Sequence, residues 1–376
     1  MEIMAVPQGN VALACYPLHK KDPLRAWDAA DEYLLRQLHD SGRLAEGEPV
    51  LVVNDRFGAL SVALAARQQV VMQTDSWLAQ RGCLHNLQCN GLAPDRVTLL
   101  DSLAQPEGPF CAVLLKIPKS LALLEHQLHQ IRPLLADDVL FLAGAMTKHI
   151  HRSTLQLFER IIGPSPTSLA VKKARLVLPQ FDASLMPGVS PWPRCFMLDD
   201  VGLRICNHAG VFSRERLDIG TRFFLDHLPQ RVGAADIVDL GCGNGIVGLL
   251  ARRDNPDARL LFSDESFMAL DSARMNWQAA FADAPAEFVA DDCLSSHPAR
   301  SADLVLINPP FHQQHAITSG IAKRMFRDAY RVLRSGGECR IVGNRHLGYQ
   351  RDLKRIFGSC EVVASNPKFV IHRALR

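Results

Sequence analysis

Residues 236–248 read Asp-Ile-Val-Asp-Leu-Gly-Cys-Gly-Asn-Gly-Ile-Val-Gly. An apolar run ends at Asp239. Three glycines follow at alternate positions, Gly241, Gly243 and Gly245, and an apolar helical pattern begins at Ile246 and Val247. The pattern predicts a strand, a tight turn and a helix N-terminus. Glycine reaches positive φ without strain and carries no Cβ to hold a ligand away from the backbone. The helix start adds free N–H groups and the positive end of a dipole, which suit an anionic group.

Two cofactors fit such a turn. Gly243, Gly245 and Gly248 match G-x-G-x-x-G, the dinucleotide pattern, which is weak alone. The fuller D-x-G-x-G-x-G resembles motif I of S-adenosylmethionine-dependent methyltransferases. Residues 302–311, Ala-Asp-Leu-Val-Leu-Ile-Asn-Pro-Pro-Phe, weigh between them. A β-type run ends there in Asn308-Pro309-Pro310-Phe311. This resembles the (N/D)-P-P-(Y/F) motif of methyltransferases that act on a planar nitrogen, for which a dehydrogenase has no use. Read blandly, it is a Pro-Pro turn after a strand.

Outward from these motifs the chain repeats itself. Strands at 50–53, 97–100, 112–117 and 139–143 alternate with helices in the first half, and 237–239, 260–263 and 288–290 do so in the second. Alternation of this kind indicates a parallel α/β sheet. The helix through Asn86 matches the one through Asn276, and Arg132 to Gly144 matches Arg331 to Gly343 at identical spacing. An internal duplication follows. The fold class is therefore α/β, two tandem Rossmann-like methyltransferase domains. The expected boundaries are 1–180 for the first, 181–195 for a proline-rich linker and 196–376 for the second. Residues 22–40 look helical, and 194–206 look like a hairpin that opens the second domain.

The first copy has lost its chemistry. With Gly58 set against Gly243, Asn54 stands at Asp239, Arg56 at Gly241 and Leu60 at Gly245. Bulky side chains in place of glycines oppose close approach of a cofactor. Lys116 stands where Asn308 stands. Lysine has donors and no acceptor, so it cannot receive an amine hydrogen. Lys116 and Lys119 would suit phosphate instead, in an RNA platform. A docking domain without RNA contact is the alternative.

Composition sets the outer bounds. The 376-residue chain is 48% hydrophobic and 22% charged, ordinary for a soluble protein of two or three domains. No run approaches the ~20 apolar residues of a membrane span, and the N-terminus lacks a signal-peptide layout. A cytoplasmic protein is expected. Ten cysteines without C-x-x-C pairs or zinc spacing read as reduced filler, with no metal site. Net charge is uneven. Residues 321–376 hold 13 Lys/Arg against four Asp/Glu, and residues 145–176 hold six against one. Two basic zones on a near-neutral chain fit a polyanionic partner, although solvated helix faces also give basic runs.

Each motif residue has an expected role. Gly241, Gly243 and Gly245 line the methionine part of the cofactor. Asp239 orients the turn or meets the amino group through water. Asp264, nineteen residues after Gly245, accepts the ribose hydroxyls, or caps a helix, or both. Asp292 accepts from the adenine amine, with Asp291 its close rival. An exocyclic guanine amine shares its lone pair with the ring and is a poor nucleophile. The side-chain oxygen of Asn308 and the carbonyl of Pro309 can each accept one of its hydrogens, which favours a pyramidal nitrogen. Asn308 does not titrate here, so its work is orientation and electrostatics. Phe311 stacks on a base that has been flipped out. His312 to His315 form a polar loop that closes over the base or stays in solvent. Phe212-Ser213 covers the cofactor or packs in the core.

With both motifs and the duplication assembled, the chain resembles the bacterial rRNA guanine-N2-methyltransferases over nearly its whole length. Four stretches, residues 26–35, 54–61, 308–316 and 344–347, point to the branch that acts on the large subunit. The resemblance implies methyl transfer from S-adenosylmethionine to N2 of one guanosine in 23S rRNA, protein-free or in an early assembly intermediate. It also implies that only the second domain binds cofactor. The small-subunit branch, acting on 16S rRNA, is the nearest alternative. A protein-glutamine methyltransferase and a non-catalytic RNA-binding factor stand further off.

Overall fold

The computed structural model describes all residues except 19–24, 200, 212–216, 234, 283 and 311–314, and the side chains of 315–319 are also outside the description. The chain forms two compact units, Met1–Trp192 and Pro193–Arg376. Residues 181–192, read from sequence as linker, count with the first unit. Arg132 donates there to the carbonyls of Asp182 and Leu185.

The first unit opens with a hairpin, β1 (Glu2–Val6) and β2 (Gly9–Leu13). It continues through α1 (Ala29–Asp40), β3 (Pro49–Val53), α2 (Ala59–Ala65), β4 (Gln69–Thr74), α3 (Trp77–Cys89) and β5 (Val97–Asp101). Then come β6 (Ala112–Lys116), α4 (Leu121–Ile131), β7 (Leu140–Met146), α5 (Arg152–Ile161) and β8 (Ala174–Val177). The sheet order is β5-β4-β3-β6-β7-β8, parallel until β8 joins antiparallel. β3 and β6 are apolar runs buried on both faces, as central parallel strands are. The helix read over 22–40 starts at Ala29. Asp28 caps it and its box partner Asp31 reaches back to the Asp28 N–H.

The second unit opens with a second hairpin, β9 (Arg194–Leu198) and β10 (Leu203–Asn207). It runs on through α6 (Ile219–Leu225), β11 (Asp236–Leu240), α7 (Ile246–Asp254), β12 (Arg259–Asp264), α8 (Phe267–Phe281) and β13 (Ala286–Ala290). After β14 (Ala302–Ile307) come α9 (His315–Val332), β15 (Leu333–Asn344), α10 (Tyr349–Phe357), β16 (Glu361–Ser365) and β17 (Phe369–Leu375). The sheet order is β13-β12-β11-β14-β15-β17-β16, with β17 antiparallel to both of its neighbours. Successive residues of β11 face opposite layers. Ile237 packs with Phe224, Phe262 and Trp277, and Val238 packs with Phe326, Val332 and Leu353. Strand order reverses between β11 and β14, so their C-terminal ends open the crevice where such sheets bind ligands.

The duplication reaches individual hydrogen bonds. Asn86 of α3 exchanges bonds with both backbone groups of Ala14 and donates to the Phe57 carbonyl. Asn276 of α8 does the same with Cys206 and with the Asn244 carbonyl. Ser76 and Ser266 cap the two helices identically. The structure corrects two sequence alignments. Gly58 and Gly245 are the equivalent left-handed caps, with φ of 83° and 79°. A Cβ on Gly58 would meet Cys83, and one on Gly245 would meet Ala273, both at 2.8 Å. Asn54 therefore answers Gly241, and Arg56 answers Gly243. At β7 and β15 the register sets Ala143 against Leu115 and Ile341 against Ile307. Gly144 and Gly343 thus differ by one position, although their spacing from Arg132 and Arg331 is the same.

The cysteines need a correction as well. Cys195 and Cys206, direct partners across the β9–β10 hairpin, form a disulfide, and the other eight are in no disulfide. A hairpin sets cross-strand pairs side by side, which spacing along the chain does not reveal. Among the described residues no helix is long and apolar enough to cross a membrane, and no cluster of His, Cys, Asp and Glu could hold a metal ion.

Candidate active site

β11 ends at Leu240 beside Ile307 of β14, so the glycine turn and Asn308 leave the sheet as neighbours. The turn is left-handed at each glycine, with φ of 72° at Gly241, 54° at Gly243 and 79° at Gly245. Side chains resist that region, which explains glycine at all three positions. Their surroundings differ. Gly245 faces α8. A Cβ on Gly243 would meet no described residue within 4 Å, so among these residues this face is open to a ligand.

Two acidic groups shape the turn, and two more lie beyond β13. Asp239 is buried and accepts from the Gly248 N–H at 2.8 Å, which ties the strand to the first turn of α7. Asp264 accepts from the Gly243 N–H at 2.9 Å and from Ser266 N–H at 3.0 Å. Ser266, not Asp264, caps α8. Asp291 is committed to its own loop, taking bonds from Ser295 and Ser296. Asp292 is partly buried and pairs with Arg324 of α9 at 3.0 Å. Arg324 was not anticipated from sequence.

Burial, with the nearby Asp264 charge adding, pushes the Asp239 carboxyl up to about 8. Between its ordinary value of 3.8 and about 8, the folded carboxyl keeps a proton that the unfolded chain releases. Its contribution to stability is therefore complete below pH 4 and is lost as pH rises through 8. Asp239→Asn keeps an acceptor for the Gly248 N–H and has no such slope. Its thermal midpoint is expected to rise relative to the parent protein between pH 5 and pH 9, which paired melting curves measure.

At the other motif the amide of Asn308 is half engaged. Its Nδ2 donates to the Thr221 hydroxyl at 2.8 Å, while its Oδ1 is buried without a partner among the described residues. A buried acceptor left unpaired costs about 1–3 kcal/mol, so this oxygen can take a donor that the described residues do not supply. Pro309 is buried and Pro310 exposed. Phe311, His312, Gln313, Gln314, Phe212 and Ser213 lie outside the described residues, as does the side chain of His315.

In the first unit the same place is closed by charge. Lys116, the last residue of β6, stands in the register position that Asn308 holds just after β14. Its ammonium lies 2.7 Å from Asp28 and 2.8 Å from Asp31. Burial works against the ammonium, but Asp31 and Asp28 outweigh it and raise its pKa. This corrects the reading of Lys116 as a phosphate-binding residue. The ion pair comes from α1, which sequence spacing does not place beside β6.

The chain matches the family model "RLMG N-terminal domain" over residues 1–183 and "Methyltransferase small domain" over residues 202–373. It is 50% identical to the ribosomal RNA large subunit methyltransferase G of Streptomyces griseus, with both chains covered in full. The proteins of that name from Ectopseudomonas mendocina and Pseudomonas aeruginosa are 48% and 49% identical, again over 100% of each chain. Among solved structures, the T. thermophilus 16S rRNA N2 methyltransferase RsmC, in complex with AdoMet and guanosine, superimposes with a TM-score of 0.78. That likeness covers 100% of this chain and 97% of the other at 20% identity, and it supports the fold.

Proposed function

The chain belongs to the ribosomal RNA large subunit methyltransferase G family, and from that premise we propose that it methylates the exocyclic N2 of one guanosine in 23S rRNA. S-adenosylmethionine supplies an electrophilic methyl group on a sulfonium. The second unit fits that cofactor. Gly243 leaves an open approach to the backbone, and the three acidic groups at Asp239, Asp264 and Asp292 stand near the C-terminal ends of β11, β12 and β13.

The observation that carries the reading is the unpaired Oδ1 of Asn308, a buried acceptor at the switch point. An amine hydrogen of guanine would satisfy it, and the Pro309 carbonyl would take the other. Both bonds hold the nitrogen with its lone pair free of the ring and favour the charge that grows on it. Phe311 would stack on the base. Asp264 would take the ribose hydroxyls and Asp292 the adenine amine, the latter while Arg324 holds it in place. The first unit, residues 1–180, serves as the RNA platform. Its exposed lysines Lys119, Lys148 and Lys173 carry the contact with phosphate. Localisation in the cytoplasm follows from the substrate.

The test offers labelled S-adenosylmethionine with two acceptors, total rRNA lacking the modification and a glutamine-bearing release-factor peptide. Label in RNA that weakens steeply with added salt is expected, because phosphate contacts release counterions. Label in the peptide alone would replace this reading with protein methylation. Binding of S-adenosylhomocysteine without transfer to either acceptor would replace it with a non-catalytic RNA factor.

A further inference from the structure

We propose that Thr221 is the positioning residue that anchors the Asn308 amide for the target amine. The inference rests on the reading of Asn308 as the group that meets the target amine. An asparagine amide presents an acceptor at one end and donors at the other. Turned the wrong way, Asn308 would offer N–H groups to an amine that also needs to donate, and the contact would be repulsive. Something must hold the nitrogen end away from the substrate. Thr221 anchors that end, accepting from Nδ2 at 2.8 Å with Oδ1 as the open end; its hydroxyl could also donate, so what it supplies is a fixed position for the amide.

Thr221 is itself held. It is 6% exposed and lies in the first turn of α6, where the Asp218 carboxylate accepts from its N–H at 3.2 Å and from that of Gly220 at 2.9 Å. Gly220 lets the helix sit against β17, since a Cβ there would fall 2.7 Å from the Phe369 ring. The hydroxyl therefore reaches Asn308 from a fixed backbone, and a short side chain suffices.

The degenerate copy gives independent support. Asp28 caps α1 as Asp218 caps α6, and three residues on stand Asp31 and Thr221. Lys116 and Asn308 occupy the equivalent ends of β6 and β14. Asp31 contacts Lys116 at 2.8 Å, as Thr221 contacts Asn308. Both partners differ between the copies, and in each they match. The working copy has an amide and a hydroxyl, the silent copy an ammonium and a carboxylate. Helix packing alone would not require the two positions to match in this way.

The experiment compares the full-length parent protein with Thr221→Val, Thr221→Ser and Asn308→Ala. Methyl transfer to rRNA, S-adenosylhomocysteine affinity and thermal midpoint are read for each. Valine keeps the shape and removes the hydroxyl. Loss of an aligning hydrogen bond predicts a fall of roughly 10-fold or more in kcat with cofactor affinity unchanged, and only a modest fall in melting from the Nδ2 left unpaired. Serine is expected to restore kcat to within about threefold. Thr221→Val added to Asn308→Ala is expected to cost nothing further, since the two act through one contact. Full activity in Thr221→Val would overturn the proposal. So would a loss that serine does not recover, or one that tracks cofactor affinity or melting. If Asn308→Ala proves as active as the parent, the reading of Asn308 fails rather than the role of Thr221 alone.

Discussion

Asn308→Ala is expected to lower the rate of methyl transfer by more than ~10-fold. The loss has two sources. The target amine forfeits an acceptor worth about 1–3 kcal/mol in a buried setting, and the nitrogen loses the alignment that exposes its lone pair. Affinity for S-adenosylhomocysteine is expected to stay within about twofold, because the described contacts of Asn308 run to Thr221 and not to the glycine turn. Single-turnover kinetics beside calorimetric titration separate the two quantities. A variant that loses cofactor affinity as steeply as rate would place Asn308 in the cofactor site instead.

Lys116→Met is expected to destabilise the first unit by about 3–5 kcal/mol, the cost of stranding a buried charge. Lys116 and Asp31 have side chains only 15% and 7% exposed, while Asp28 is half exposed and can turn to water. Burial already raises the Asp31 pKa above its ordinary value despite Lys116. Without the ammonium it would rise further and the folded carboxyl would hold its proton to higher pH. The folded contribution is then fullest below the ordinary carboxylate range and falls as pH rises, so the deficit should be larger at pH 8 than at pH 5. Adding Asp31→Leu removes the stranded charge and is expected to recover most of the loss. Hydrogen exchange in α1 and β6, followed across that pH range, reads the effect within the first unit.

The parts legible in the sequence are those encoded over short distances. The glycine turn declares itself because three neighbouring positions adopt positive φ. The run 302–307 reads as a buried strand leading into Asn308, and β14 ends at Ile307, one residue before it. The duplication shows in Asn86 and Asn276 because each closes the same three backbone bonds. What stayed hidden depends on contacts far apart in the chain. Thr221 lies 87 residues from Asn308, and Asp28 lies 88 residues from Lys116. Neither contact has a local signature. One signal was available, namely the shared Asp cap with its partner three residues later, read across both copies. Aligning the copies by Gly58 and Gly243 instead of Gly245 concealed it, because counting glycines cannot tell the helix-capping one from the others. Asp264 shows a further limit. Its place at the end of β12 is plain from sequence, but its bond to the Gly243 N–H requires the folded turn.

The account is tested most directly by offering protein-free 23S and 16S rRNA, each lacking native methylation, to the parent protein and Asn308→Ala with labelled S-adenosylmethionine, and identifying the modified nucleoside by mass. N2-methylguanosine in 23S rRNA alone, reduced more than ~10-fold by the substitution, is the expected result. N2-methylguanosine in 16S rRNA, a different methylated nucleoside, or label that Asn308→Ala leaves intact would contradict it.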